Sequence, residues 1–423
     1  MLKFKGGSVD ITPAAKCKLA GFADRKAPFT DIAEPLEANI VILQDDSTGV
    51  VFISLDLLFV GEALKRNILN RLDGVITGDN LFISATHTHF APGTDEDKAV
   101  LGETSAEYLS FVADKVVNKI KDIEAEECES VKVYYREGRS NCGVNRRRFG
   151  WKFSTRSFPA REMLTLPDYK AFRDSKIRIL DIRGADNARR ALIWNFCCHP
   201  SASPSITSIS SDYPGIVRSR VRKSMDSEEL PVVFLQGFSG DIMPAAFLKR
   251  PRKIFGAEFA RYIVRRAVNG PEFSNFSQQG WSQWVDEFYG DFRSTLSRGA
   301  EIVIDGGITL TRNKIPLNTI GFTGTQREIS FRSILLGNKL RIIGISAEPV
   351  AGYVGILERL FPDDIVIPVG YINSVFGYLP TEEMVSQGGY EASGFIKYFN
   401  LEGSFKPGFQ EIIVHELNNL RRS

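Results

Sequence analysis

Eight short apolar runs constrain this chain more than any other feature. They are "NIVILQ" (39–44), "VVFISLDLLFV" (50–60), "NLFISA" (80–85), "VKVYY" (131–135), "KIRILDI" (176–182), "ALIWNFCC" (191–198), "PVVFLQG" (231–237) and "LRIIGISA" (340–347). A half-exposed strand alternates polar and apolar residues, whereas a strand covered on both faces reads as an unbroken apolar stretch. "VVFLQ" shows no alternation, so these runs describe a sheet with both sides covered. The first two are joined by "DDSTG" and read as a hairpin.

The stretches between them carry the helical period. Residues 61–72, 105–123, 255–268 and 408–423 space their apolar side chains three and four apart. "DYPGIVRSRVRKSM" (212–225) reads as a helix capped by Asp212, with Pro214 in its first turn. The fold expected is α/β: a mixed β-sheet with flanking helices in a single large catalytic domain, with active-site loops at the C-terminal ends of strands. No repeat, low-complexity tract or linker divides the chain, so one domain is expected over 1–423. The polar-aromatic stretch 270–300 is weakly patterned and reads as a surface insertion in it.

Several function classes are disfavoured. A net charge of +2 with basic residues spread through the chain gives no electrostatic case for nucleic acid or an anionic membrane. The longest apolar run is interrupted by Asp56 and is too short to span a bilayer. Five cysteines, only Cys197 and Cys198 close together, form neither a disulfide framework nor a CxxC zinc pattern. "MLKFKGGSVDITP" has no apolar h-region, so no signal peptide is read and a cytoplasmic setting is expected.

The chain has four histidines, and two of them, His87 and His89, stand in "ISATHTHFAPG". That pair follows one apolar run; His199 follows another; Asp241 follows a third, in "FSGD"; Glu348 follows a fourth. In α/β sheets ligands bind beyond the carboxyl ends of strands, where loops converge, so the four positions point to one shared site. Imidazole nitrogens with a carboxylate suit zinc, and a catalytic zinc keeps a position for water. In extended chain His87 and His89 leave one face. One imidazole can then bind metal while the other contacts substrate or moves protons. Asp212 is either a helix cap or a carboxylate that orients a metal histidine, and Asp241 is either a turn carboxylate or the same. His415 falls in the last helical pattern and reads as a surface residue.

"SATHTHFAPG", "WNFCCHPSAS", "ISSDYPG", "LQGFSGDIMP" and "GYLPTEEMVSQGGYE", with "GGSVDITP" and "AGFADR" near the start, resemble the neutral/alkaline ceramidase family, specifically its zinc-bearing N-terminal catalytic domain. The resemblance implies hydrolysis of an amide bond of the N-acyl sphingosine type with one zinc per chain. It implies His87, His199, Glu348 and Tyr378 as zinc ligands, and His89 as a substrate or transition-state contact. Arg146, in "GVNRRR", matches an arginine near the site, and Tyr390, in "GGYE", matches a tyrosine that stabilises the oxyanion. A cation and a phenol are suited to charge developing on a tetrahedral intermediate.

Two departures qualify the substrate. Met243, in "GDIMP", stands where the ceramidases have a serine regarded as catalytic, and a thioether is neither a nucleophile nor a strong donor. Ser239 in its place, or direct attack by metal-activated water, are the alternatives, and the second is preferred. The chain also ends soon after "GGYE", without room for the β-sandwich domain of longer members. The expected activity is therefore zinc-dependent cleavage of an amide (N-acyl) bond in a small-molecule substrate other than ceramide. The alternatives are a true N-acylsphingosine amidohydrolase and a non-catalytic, metal- or ligand-binding relative.

Overall fold

Each of the eight apolar runs contains a strand, and the strands sort into two facing sheets. A computed structural model describes residues 1–72, 74, 76–153, 159–245, 256–273 and 276–421. Nine strands form the larger sheet: β1 (Leu2–Asp10), β2 (Glu37–Gln44), β3 (Gly49–Leu55), β4 (Leu81–Ala85), β5 (Glu129–Arg139), β6 (Lys176–Gly184), β7 (Arg189–Phe196), β8 (Val232–Gln236) and β9 (Glu301–Ile304). Their order is β8-β7-β6-β5-β1-β2-β3-β4, with β9 beside β5. The β3/β4 and β7/β8 pairs are parallel and the others antiparallel, so the sheet is mixed as expected. The hairpin closes with Gln44 opposite Gly49. The second sheet has β10 (Ile308–Pro316), β11 (Glu328–Leu336), β12 (Leu340–Ile345) and β13 (Ile365–Val369), in that order.

Side-chain alternation explains the layers. Phe52, Phe82, Leu180, Ile193 and Leu235 of the large sheet meet Ile334, Ile342 and Ile367 of the second in one apolar layer. The opposite face of the large sheet is covered by four helices. α1 (Glu62–Arg71) and α2 (Ala106–Ala125) lie over the β2–β4 half, and α3 (Asp212–Ser224) and α5 (Gln278–Arg298) over β6–β8. The outer face of the second sheet packs on α6 (Gly352–Leu360) and α8 (Phe409–Asn419). α4 (Ala257–Asn269) and α7 (Glu382–Gln387) complete the set. None of the described helices is long and apolar enough to cross a membrane.

The large sheet curls until its two ends meet. Ser54 Oγ on β3 donates to Phe234 O on β8 (2.7 Å), and Asn39 Oδ1 on β2 accepts from Val232 N (3.1 Å). These contacts occupy an edge that would otherwise present unpaired backbone. They also bring the carboxyl ends of β4, β7 and β8 to one place. Gly370 N donates to Gln236 O (2.9 Å), which ties the end of β13 into the same cluster.

Two sequence expectations are corrected. The stretch 270–300 is not an insertion on the surface over its helical part: Trp281, Trp284, Val285, Phe288 and Phe292 of α5 are buried against β7, β8 and α3. Its pattern looked weak because four of these five core positions are aromatic and polar residues fill the gaps. Phe288, fully buried among Trp194, Phe196, Tyr213 and Trp284, should cost about 3–5 kcal/mol on truncation to alanine. Chemical denaturation measures this, and a loss under 1 kcal/mol would return the segment to the surface. The second correction concerns α3. Ser211 occupies the N-cap, and Asp212 is the first helical residue, with a left-handed backbone (φ 54°).

Candidate metal centre

Five strand ends supply the site. His87 and His89 follow β4, His199 follows β7, Ser239 and Asp241 follow β8, Glu348 follows β12, and Tyr371 follows β13. His87 leaves its strand on a left-handed turn (φ 68°), not in the extended chain read from the sequence. Such backbone costs a non-glycine residue on the order of 1–3 kcal/mol. It is held by the His87 N–H donating to Leu57 O (2.9 Å) and by the ring lying 4.2 Å from that of Tyr371, centroid to centroid. Both imidazoles of the pair still reach the same point, because the turn swings His87 back toward His89.

The three imidazoles are held alike. His87 Nδ1 is 2.9 Å from Leu58 O, His199 Nδ1 3.0 Å from Ile242 O, and His89 Nδ1 3.1 Å from Gly21 O. A carbonyl only accepts, so each Nδ1 carries the proton and each Nε2 is left as a lone pair. Burial is the largest influence on all three. It holds His87 and His89 well below the ordinary imidazole value and His199 at about 3, so the rings are neutral.

These lone pairs face one another. His89 Nε2 lies 3.4 Å from His87 Nε2. Glu348 Oε2 lies 3.5 Å from His87 Nε2 and 3.6 Å from His199 Nε2. The three histidine donors all fall within 4.8 Å of one another, and His199 Nε2 is buried with no hydrogen-bond partner. Converging acceptors without a proton between them repel unless a cation sits among them. Ligand atoms bound at 2.0–2.1 Å around a tetrahedral zinc stand roughly 3.3–3.4 Å apart, close to the spacing seen here. The donor set fits a divalent ion of that kind.

Glu348 and Tyr378 are in register on a short parallel pairing, and the nearby Tyr378 hydroxyl favours the ionised form of the Glu348 carboxylate against its burial. Arg146 Nη2 donates to Tyr378 Oη (3.2 Å), and its guanidinium lies 5.6 Å from the Tyr390 ring centre. The loop carrying Ser239 and Asp241 comes against Glu348 so closely that only glycine fits at 240, where a Cβ would meet Glu348 O at 2.7 Å.

The sequence of this chain matches the profile of the neutral/alkaline non-lysosomal ceramidase N-terminal domain over residues 5–247, more than half its length. The chain belongs to the neutral/alkaline ceramidase family. The neutral ceramidase of Drosophila melanogaster is 34% identical over 93 residues, 21% of this chain and 13% of that protein. Neutral ceramidase 1 of Arabidopsis thaliana is 30% identical over 122 residues, 27% of this chain and 16% of that protein. The matches therefore span well under a fifth of those relatives. The crystal structure of the Pseudomonas aeruginosa neutral ceramidase superposes with a TM-score of 0.74 at 17% identity, over 99% of this chain and 74% of that one. A ceramidase complexed with C2 gives the same TM-score at 16% identity. The ceramidase fold is thus shared along the chain.

Of the residues singled out from the sequence, His87, His89, His199, Glu348, Tyr378, Arg146 and Tyr390 come together. Asp212 and Asp241 do not reach a histidine. Asp212 accepts from the backbone N–H groups of Ala202, Ser203 and Tyr213, and burial pushes its carboxyl up to about 7. Asp241 accepts from Asn145 Nδ2 and Ala351 N (2.7 Å each) and so ties its loop to the strand carrying Asn145 and to the start of α6 behind the site. The orienting role is taken instead by backbone carbonyls, which no side-chain pattern reveals. His415 is exposed on α8.

Sequence reasoning passed over Tyr371 and Glu391. Tyr371 Oη lies 3.0 Å from Ser239 Oγ and 3.4 Å from Glu348 Oε2. Glu391 accepts from Arg146 Nε (2.7 Å) and Arg147 Nη1 (2.6 Å). The run Arg146, Arg147, Arg148 next to no acidic residue was the available signal, since buried guanidiniums require a distant carboxylate.

Proposed function

We propose that this chain is a zinc-dependent amide hydrolase holding one ion per chain, acting on an N-acylated small molecule other than ceramide. One observation carries the reading: three neutral imidazole lone pairs and the Glu348 carboxylate face one point in a member of the ceramidase family. His87, His199 and Glu348 would hold the ion, with Tyr378 beside them. His89, the half-buried member, would face substrate. Bound zinc supplies a Lewis acid for the carbonyl and lowers the pKa of water.

The remaining steps fall to the chain's own groups. Arg146, fixed by Glu391, presents its charge beside the Tyr378 hydroxyl and the Tyr390 ring. This is where negative charge on a tetrahedral intermediate needs support. His89 Nε2 is an acceptor placed to take a proton, and its Nδ1–H on Gly21 O fixes that tautomer. Ser239 is a poor replacement for the family serine, being fully buried with its hydroxyl engaged by Gln236 Nε2 (2.6 Å) and Tyr371. A recess of about 140 Å³ lined by Phe22, Phe90, Ile206 and Met243 together with Ser201 and Ser203 reaches His89 through the Phe22 ring, and it would take a short acyl group.

Metal analysis of protein prepared without chelator, with a hydrolysis panel of N-acyl amides that includes a fluorescent ceramide, tests the proposal. One zinc per chain and chelator-sensitive turnover are expected. No metal together with no turnover sinks it, and ceramide cleaved as fast as the best panel member overturns the substrate clause. The non-catalytic reading, favoured by Met243, predicts metal without turnover across the panel.

Gly21 offers a finer probe. Its φ is 108°, and a Cβ there would stand 2.7 Å from the His89 ring. Gly21→Ala should displace His89 and cut turnover by about tenfold or more, since small misplacements of a reacting group are costly. Steady-state kinetics at constant zinc content check this; unchanged kcat would show that His89 takes no part.

A further inference from the structure

A groove of about 840 Å³ lies between α1 and strands β10 and β11, lined by none of the histidines. Lys65, Arg327 and Arg332 line it, all partly buried. Lys65 and Arg327 have only long ion pairs, and Arg332 has none. Glu62 is 3.7 Å from Lys65 Nζ, and Asp97 is 3.5 Å from Arg327 Nη1. Arg332 donates only to the backbone carbonyls of Gly78, Asp79 and Leu81. Elsewhere in the chain the buried Arg146, Arg147, Arg178 and Arg218 each meet a carboxylate at 2.6–2.8 Å. Arg312 and Lys314 add positive charge at the rim, each paired with a carboxylate, Asp79 and Glu328. Burial lowers the pKa of Lys65 against the opposing pull of Glu62, and burial followed by the Arg312 charge brings Arg332 to about 10. Five cations line the groove against the three carboxylates of Glu62, Asp97 and Glu328, so the protein's own acids compensate this field only in part.

A second observation points to a ligand. Asn373 lines the same groove, is only 4% exposed, and its Oδ1 has no hydrogen-bond partner. Its backbone is left-handed (φ 52°). A buried acceptor without a donor costs about 1–3 kcal/mol. Cations and an unsatisfied acceptor together call for an oxyanion that also carries a hydroxyl.

We infer that this groove binds a phosphate-type anion, its oxygens on Lys65, Arg327 and Arg332 and its hydroxyl proton on Asn373 Oδ1. Thr325, Asp97 and the Phe399 and Asn400 carbonyls take most N–H groups of Arg327, and the strand carbonyls take most of those of Arg332, so each arginine offers its charge and a remaining N–H, not a paired fork. The site is tied to the metal centre through the backbone. Arg332 holds Leu81 O at the start of β4, and Asn373 N donates to Ile83 O (2.9 Å) on the same strand, which leads to His87. Asn373 also lies two residues beyond Tyr371, whose hydroxyl is 3.4 Å from Glu348 Oε2. Occupancy therefore braces the segment behind both.

The inference is independent of the hydrolase reading. The test titrates the whole protein with inorganic phosphate at low salt, by calorimetry and by melting temperature, with glycerol phosphate and sulfate in parallel. Saturable binding that raises the melting temperature is expected. It should weaken at least tenfold in Lys65→Met and in Arg327→Met, and persist in His199→Ala, which separates it from phosphate on the metal. Tighter glycerol phosphate binding marks a phosphate monoester as the occupant, and tighter inorganic phosphate marks the free ion. Sulfate lacks the hydroxyl and should bind more weakly; equal binding removes Asn373 from the site. Groove variants that bind like the wild type, or loss of binding only in His199→Ala, overturn the inference.

Discussion

Replacing His199 with alanine is expected to abolish zinc binding and to lower amide hydrolysis on the order of 10³-fold, with the fold retained. The ring is buried, its Nδ1 is committed to Ile242 O at 3.0 Å, and its Nε2 has no partner within the protein. The side chain therefore contributes little to folding through Nε2, which the proposed reading assigns to the metal. Residues that only orient a metal ligand cost roughly 10–100-fold when removed, so loss of a ligand itself should exceed that range. Burial, with Arg146 nearby, holds the imidazole at about 3, so it is neutral around neutral pH, the form that ligates a metal. Zinc content, circular dichroism and turnover on the same preparations check the prediction. Wild-type stoichiometry of zinc in the variant would remove His199 from the ligand set.

The site was legible where chemistry and topology coincide. Scarce histidines at the ends of apolar runs announced a shared centre, because strand ends converge in α/β folds. The curl that makes the ends of β4 and β8 neighbours was not legible. It depends on Ser54 and Asn39 meeting the backbone of β8, two polar residues that look like minor breaks in apolar runs. Strands β10 and β11 escaped notice for the opposite reason to the buried ones. Their exposed positions carry Arg, Lys, Ser and Thr, and alternation over "ITLTRNKIP" is too polar to read as sheet. In β13 the proline of "IVIPV" masked the pattern. Asp56 shows the limit from inside a run that was read: it broke the apolar stretch 50–60 and lies fully buried, paired with Arg218 on α3 at 2.8 Å. The sheet was expected and that ion pair was not, since its partner is 162 residues away.

The same distance problem hides a large stability effect. Glu391, 2% exposed, stands between Arg146 and Arg147, themselves 7% and 6% exposed. Burial alone would raise its carboxyl, and the two guanidiniums more than reverse that, so it is ionised in the fold. Glu391→Gln keeps the shape and removes the charge, leaving two buried cations without compensation. Breaking one partner of such a buried cluster costs about 3–5 kcal/mol, which corresponds to a fall in melting temperature on the order of 3–6 °C in a protein of this size. The double variant Arg147→Met, Glu391→Gln removes one of the stranded charges and should recover part of the loss, whereas additive destabilisation would show that the cluster is not coupled. Catalysis should separate from stability. Arg146 is steered by Glu391 toward Tyr378, so Glu391→Gln should lower kcat more than it raises KM even well below its melting temperature. A Glu391→Gln protein that melts within 2 °C of wild type would mean that water, not Glu391, carries the charge of the arginine pair.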